Sequence, residues 1–501
     1  MKIVYVLALA AAMLAGCKAS ENNVTDVAAE NSHTAEYDST AENDCAAEVL
    51  PITGTFINLP YQDVRNLYTN PPYIDNTDPQ MWETKIAEMK KMGMEYLIFM
   101  SVANERKAYY PSRLMKWHYP EWRKSPVDAV MDAAAEHGMK VFMSTGWAVD
   151  QDDNLRDPAI KARQIDMMTE LAGLYGDHPA MYGWYLPVED CFGPVLTDYA
   201  VEAANALTAK ARELTPGKKI MISPYGIFNS DFEDPRYERQ IARLEVDIIA
   251  YQDEVGCVRE RYPLTRLRDN WKKLRAIHDK TDIEMWANCE TFSWEKATND
   301  RSSALIPAPY SRLLAQQAAA TAGGAEKIIS FMICGIFEDP SSPYQLGMPH
   351  WSAEAWKDYM GWLGGERGWK VAEASMLGKF GDAATEDASD PRWREYGAGT
   401  HEVVTDLPGK TVVNEVFVRM LNCRKDGIVP PSKLFLFSSM DGEKWSLEQI
   451  KDSPRCADTR HDAFIDFVLF DGLDCDARHL KIAFTTDSKS YMDEVTINPE
   501  W

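Results

Sequence analysis

The chain has 501 residues, with 53 Lys and Arg against 77 Asp and Glu, and a net charge of −24. So acidic a surface excludes nucleic acid or anionic lipid as the main partner, whereas neutral sugars tolerate it. Lys2 precedes the apolar run Ile3 to Met13, which predicts a signal peptide over residues 1–17, too short to span a membrane as a mature helix. Residues 18–49 carry almost no large apolar side chain and read as a flexible tether. Roughly 450 residues remain, enough for one large and one smaller domain.

From Ile52 onward strand and helix patterns alternate. Gly54 to Asn58 is a first strand, and Asp78-Pro79 opens a helix behind it. Glu95 to Val102 is a second, with a helix from Ser125-Pro126 to Gly138. Lys140 to Gly146 is a third, with a helix from Asp157-Pro158 to Gly176. Met181 to Glu189 holds the fourth, followed by a helix from Ala200 to Leu214. Lys219 to Ser223 gives the fifth, and Val246 to Asp253 the sixth with a helix from Pro263 to His278. Asp282 to Glu290 holds the seventh, with a helix from Pro309 to Ala322, and Lys327 to Ile333 is the eighth. Alternating units imply a parallel sheet with right-handed crossovers, and eight of them predict a closed (β/α)8 TIM barrel over residues 50–368. No glycine-rich phosphate loop follows the first strand, which disfavours a dinucleotide fold.

After about Trp369 helical periodicity gives way to short alternating runs: Val412 to Val418, Lys433 to Phe437, Ala463 to Leu469 and Leu480 to Phe484. These predict a C-terminal β-sandwich of jelly-roll type over residues 369–501.

The fourth and seventh strands each release a glutamate, Glu189 and Glu290, at the end that forms the catalytic face of such a barrel. Two carboxylates there fit glycoside hydrolysis, in which one acid protonates the leaving oxygen and the other attacks or activates water. Asp253, ending the sixth strand, is a rival for proton donor, with orienting Glu290 or binding a sugar hydroxyl as its other roles. Asp190 and Glu254 should turn away toward helix starts. Pyranose faces pack on aromatic rings while hydroxyls need amides. The expected substrate contacts are therefore Trp147, Trp184, Tyr185, Tyr225, Tyr251, Trp286 and Phe292, with Asn58, Gln252 and Asn288. Tyr61, Trp294 and Phe337 belong to the same predicted rim. Scattered histidines and the lack of CxxC pairs give no support for a metal, and no cofactor is expected. No G-x-S-x-G elbow appears. Cys191, Cys257, Cys289 and Cys334 near strand ends read as buried thiols or one disulfide.

Four resemblances add to this reading. Leu14-Ala15-Gly16-Cys17 resembles the bacterial lipobox, which implies lipidation at Cys17 and an anchor of acyl chains in the cell envelope, at the outer membrane, as the sole membrane contact. The carboxylates of strands four and seven resemble those of the large clan of retaining barrel glycosidases, implying Glu189 as acid/base and Glu290 as nucleophile. That clan has Asn before its acid where this chain has Val188, so an inverting mechanism stays open. Gly183-Trp-Tyr-Leu-Pro-Val-Glu189, Gln252-Asp-Glu-Val-Gly256 and Trp286-Ala-Asn-Cys-Glu-Thr-Phe292 resemble an uncharacterised barrel family of Bacteroidetes lipoproteins, the domain of unknown function 4434. Ser438 to Trp445, His479 to Phe484 and Tyr491 to Ile497 resemble discoidin-type, galactose-binding-like domains. The expected function is a lipid-anchored glycoside hydrolase acting on a glycan; the alternative is a non-catalytic carbohydrate-binding lipoprotein.

Overall fold

The structure, a computed structural model, describes residues 49–59, 78–104, 106–117, 124–146, 157–189, 193, 195–256, 264–294, 305–308, 310–346, 349–365, 387–453 and 463–498. The signal peptide, the tether, Cys17, Tyr61, Trp147, Asp190, Cys191 and Cys257 lie outside these residues, as does the expected domain boundary at residue 368.

Eight strands close a barrel: β1 (Ile52–Ile57), β2 (Tyr96–Phe99), β3 (Lys140–Met143), β4 (Met181–Tyr185), β5 (Lys219–Ile222), β6 (Ile248–Gln252), β7 (Glu284–Glu290) and β8 (Lys327–Phe331). All eight neighbouring pairs run parallel, and β8 pairs back to β1. The helices between them are α1 (Pro79–Lys91), α2 (Pro126–Glu136), α3 (Pro158–Tyr175), α4 (Asp198–Leu214), α5 (Pro235–Ile241), α6 (Leu264–His278) and α7 (Tyr310–Ala322), with α8 (Pro349–Leu363) after the last strand. Helix starts follow one local rule. Asp78, Ser125, Asp157 and Asp234 each accept a backbone N–H from the first turn, and a proline stands at the position after each cap. That proline has no N–H to lose and a φ already helical.

Strand alternation sorts the barrel into two buried layers. Inward residues include Phe56, Tyr96, Ile98, Phe142, Tyr185, Met221, Ile248, Ala250, Trp286 and Ile329. Outward neighbours such as Trp184, Ile220, Tyr251, Met285, Cys289 and Ile328 pack with the helices. The barrel floor is built from the first residues of the strands. Trp286 meets Tyr96 and Phe142 edge-on at 5.0 and 6.1 Å, and Phe142 meets Tyr182 at 5.3 Å. Lys140 Nζ lies 4.9 Å from the Tyr96 ring centre and Lys327 Nζ 6.0 Å from that of Trp286. Lys219 pairs with Glu284 at 3.0 Å.

The C-terminal part folds as two four-stranded antiparallel sheets. Its strands are β9 (Arg394–Tyr396), β10 (Gly399–Val413), β11 (Val416–Asn422), β12 (Lys433–Ser439), β13 (Ser446–Asp452), β14 (Phe464–Phe470), β15 (Cys475–Thr486) and β16 (Ser490–Ile497). The sheet orders are β9-β16-β11-β14 and β10-β15-β12-β13. Leu434, Leu436, Val418, Phe470 and Ile482 centre a core separate from that of the barrel. The expected strand from Val412 to Val418 is instead the corner between β10 and β11. There the N–H groups of Asn414 and Glu415 donate to the Asn498 side chain, at 2.8 and 3.2 Å, so they leave the ladder. The edge strand β13 escaped notice because most of its side chains are exposed and carry no clean alternation. In the turn after β12, Asp441 Oδ1 accepts the N–H groups of Glu443 and Lys444, and Gly442 takes φ +74°.

Candidate active site at the C-terminal mouth of the barrel

Glu290 is the last residue of β7 and shares the inward parity of Trp286 and Asn288; it is 2% exposed. Glu189 stands four residues past the end of β4 and is partly exposed. Tyr185, inward at the end of β4, donates its hydroxyl to Glu189 Oε1 at 2.6 Å. Burial pushes the Glu189 carboxyl up to about 7, against the downward pull of the Tyr185 hydrogen bond. A carboxyl in that range holds a proton for much of the time at neutral pH.

The wall between β5 and β7 is a polar patch. Ser223 Oγ donates to the Ala250 carbonyl at 2.7 Å, and Gln252 Nε2 donates to the Ser223 carbonyl at 2.8 Å. With its own proton committed, the Ser223 hydroxyl accepts from Asn288 Nδ2 at 3.1 Å. This fixes which way the Asn288 amide faces, and its Oδ1 is left buried without a hydrogen-bond donor. Asn58 follows the end of β1 and is partly exposed, and Tyr225 lies buried just past β5.

Four expected substrate contacts prove otherwise. Trp184 and Tyr251 have outward parity. Trp184 Nε1 donates to Thr215 Oγ1 at 2.8 Å, and the Tyr251 hydroxyl bonds His278 Nε2 at 2.9 Å, both within the helical layer. Trp286 is inward but belongs to the floor, donating to Glu284 at the start of its own strand. The Phe292 ring is buried against Phe331, with ring centres 6.2 Å apart. Asp253 is corrected as a proton donor to sugar. Its outward parity turns it toward α7, it is 0% exposed, and every oxygen is occupied. Oδ1 accepts the N–H groups of Glu290 and Val255 at 3.1 and 3.3 Å, and Oδ2 accepts from Gln316 at 2.6 Å. Burial raises its carboxyl, and these donors pull it back. Glu254 holds no helix start; its Oε2 accepts the Gly226 N–H at 2.7 Å in the loop after β5. Burial pushes that carboxyl up to about 7 as well.

Cys289, Cys334, Cys423 and Cys475 are free thiols. Among the described residues no group of three His, Cys, Asp or Glu side chains could hold a metal, and no helix is long and apolar enough to cross a membrane.

Residues 52–344 match the family model described as a domain of unknown function, DUF4434. The chain belongs to the DUF4434 family. No curated protein matches it. Among solved structures, it is similar to a Bacteroides thetaiotaomicron protein provisionally named an alpha-L-fucosidase, at 19% identity and TM-score 0.49, over 68% of this chain and 99% of that one. A Ruminococcus gnavus GH29 fucosidase in complex with fucose aligns at 10% identity and TM-score 0.35, over 90% and 92% of the two chains. A beta-galactosidase from a psychrophilic Marinomonas aligns at 13% and 0.39, over 62% and 58%. At these scores the closed parallel strand order, and not the likeness, establishes the barrel.

In this DUF4434 barrel each motif now has a physical reading. In the β4 motif, a Cβ on Gly183 would stand 2.8 Å from the Phe142 ring, Trp184 anchors the helical layer, and Tyr185 holds Glu189. In the β6 motif, Gln252 joins the polar patch, Asp253 grips the Glu290 peptide, and Gly256 leaves room for the carboxylate. A Cβ at 256 would stand 3.0 Å from Glu290 Oε2 and 2.5 Å from the Phe292 carbonyl. Nothing local in the sequence marks the role of that glycine. Nor does anything local mark Ser223, just past β5, or Arg312 and Gln316 on α7, which lie outside the motifs.

Proposed function

We propose that this protein is a glycoside hydrolase that cleaves a glycosidic bond at the C-terminal mouth of the barrel, with Glu189 as acid/base and Glu290 as nucleophile. The observation that carries the reading is that two carboxyls in unlike settings stand at the same end of the barrel, one just past β4 and one ending β7. Glu189 is raised to about 7 and can carry a proton; Glu290 is held inward at a strand end with its backbone tied on both sides. In the first step Glu189 gives its proton to the leaving oxygen while a Glu290 oxygen attacks the anomeric carbon. In the second, water attacks that carbon, its proton passes to Glu189, and the ester bond to Glu290 breaks. Asn58, Gln252, Asn288 and Tyr225 line the path of a sugar in this reading. The lipobox-like Cys17 supports the further proposal that the enzyme is held at the outer membrane by acyl chains.

The test is turnover of a panel of 4-nitrophenyl glycosides and oligosaccharides, with the first-formed anomer read by NMR. Retention, abolished in Glu290→Gln and Glu189→Gln, is the expected result. Inversion would make Glu290 a base for water. Binding of a glycan with no turnover by the intact chain would replace the enzyme by a sugar receptor.

A further inference from the structure

The backbone of Glu290 is gripped from the side of the barrel that substrate never reaches. Its N–H donates to Asp253 Oδ1 at 3.1 Å. Its carbonyl accepts from Arg312 Nη2 at 2.9 Å and from Gln316 Nε2 at 3.1 Å. The same Arg312 nitrogen holds the Phe292 carbonyl at 2.7 Å, so the turn after Glu290 is fixed too. Arg312, Gln316 and Asp253 are also joined to one another. Arg312 Nε donates to Gln316 Oε1 at 3.0 Å, and Gln316 Nε2 donates to Asp253 Oδ2 at 2.6 Å. All three side chains are buried.

The direction of this chain is dictated by its first member. A guanidinium has donors only, so the Gln316 oxygen must face it and the Gln316 amide nitrogen must face Asp253. Position 253 therefore meets two backbone donors on one oxygen and a side-chain donor on the other. Only a group that accepts on both oxygens satisfies all of them. A carboxylate is present here because of what surrounds it, with no need for proton transfer to substrate.

We infer that Asp253, Gln316 and Arg312 are positioning residues, forming a one-way hydrogen-bond chain that sets where the Glu290 carboxylate stands. The inference rests on Glu290 being the nucleophile. It makes a prediction that shape alone does not. Asp253→Asn is nearly isosteric, yet it turns an NH2 group against the Gln316 donor. Gln316→Glu sets two carboxylates against each other. Combining them restores the polarity: Arg312 donates to Glu, Asn donates to the other Glu oxygen, and Asn Oδ1 still accepts the Glu290 N–H. One contact is made worse: the oxygen introduced at 316 meets the Glu290 carbonyl as a second acceptor, and that carbonyl keeps Arg312 as its donor, so the recovery is partial.

The experiment measures kcat, KM and the pH profile of the two single variants and the double variant, on the aryl glycoside that the intact protein hydrolyses. Misplacing a nucleophile by an ångström lowers the rate about 100-fold. Each single variant should lose about that much kcat with KM changed less than about threefold and both pH limbs in place, and the double should recover at least about tenfold. A double no better than the singles overturns the chain. Loss of a pH limb in Asp253→Asn overturns it differently, by making Asp253 a proton donor. If Asp253→Asn does not fold, Gln316→Met, which removes both donors at 316, must show the same fall in kcat at constant KM; unchanged kcat refutes the inference. Glu290→Gln keeps the two readings apart. If that variant retains turnover the nucleophile assignment fails by itself, and crystal structures then decide whether Glu290 shifts in Asp253→Asn and returns in the double.

Discussion

The Tyr185 hydroxyl donates to Glu189 Oε1 at 2.6 Å, from a ring buried inside the barrel. The bond favours the carboxylate, so it opposes the burial that raises Glu189 to about 7. Tyr185→Phe removes the opposition and leaves the burial. The alkaline limb of kcat/KM, where the acid loses its proton, should therefore move to higher pH. A limb that moves down, or stays, would show that Glu189 is not the group that limits the rate there.

Gly256 has an ordinary backbone conformation, so a side chain there is resisted by space alone. With a Cβ 3.0 Å from Glu290 Oε2 and 2.5 Å from the Phe292 carbonyl, Gly256→Ala must push one of them aside. Overpacking of this kind costs about 1–3 kcal/mol of stability. Displacing the carboxylate lowers kcat on the order of 100-fold. Steady-state kinetics and thermal unfolding together check both effects, and wild-type kcat in the variant would contradict the close approach.

Glu254 supplies a pH signature independent of turnover. Its folded-state carboxyl is raised from 4.5 to about 7 by burial, eased by the backbone N–H groups of Gly226 and Ile227. A carboxyl raised on folding is best tolerated below its unfolded value, and stability falls as pH climbs from about 4.5 through about 7. The full loss is on the order of 3 kcal/mol. Glu254→Gln keeps an acceptor for Gly226 and removes the ionisation. Denaturant unfolding at pH 5 and pH 8 should show a smaller drop in the variant than in the wild type.

Asn288 Oδ1 is an acceptor with its orientation fixed by Ser223 and no donor in the ligand-free protein. The atom is closed to solvent in the ligand-free protein, so a sugar hydroxyl that bonds it must first part the side chains over it, and it then gains a bond that the protein does not otherwise make. Asn288→Ala should weaken binding of the preferred glycoside about 10-fold or more. The loss should vanish for the one deoxy analogue that lacks that hydroxyl. Isothermal titration with a deoxy series reads this directly; equal losses across the series would remove Asn288 from the binding site.

Much of the barrel was legible because its signals are local. Periodicity marked each strand, and Asp-Pro or Ser-Pro marked helix starts at residues 78, 125 and 157. Glu290 was legible for the same reason, since a carboxylate ending an apolar run at inward parity needs no tertiary information. The aromatic contacts were not. Trp184, Tyr251 and Trp286 sit in strand ends rich in rings, and whether a ring faces ligand, helix or floor depends on parity and height within the closed sheet. Asp253 stayed open between proton donor and orienter of Glu290 because sequence shows its nearness to Glu290 and hides Gln316 and Arg312, which arrive from α7 some sixty residues later. The corner at Asn414 was invisible because the group that ends the ladder, Asn498, comes from the far end of the sandwich.

The ring-and-lysine floor gives the barrel a blind end. Tyr96, Phe142, Tyr182 and Trp286 interlock there under Lys140 and Lys327, so among the described residues that end of the barrel is packed shut. A molecule bound at the mouth therefore enters and leaves by the same opening.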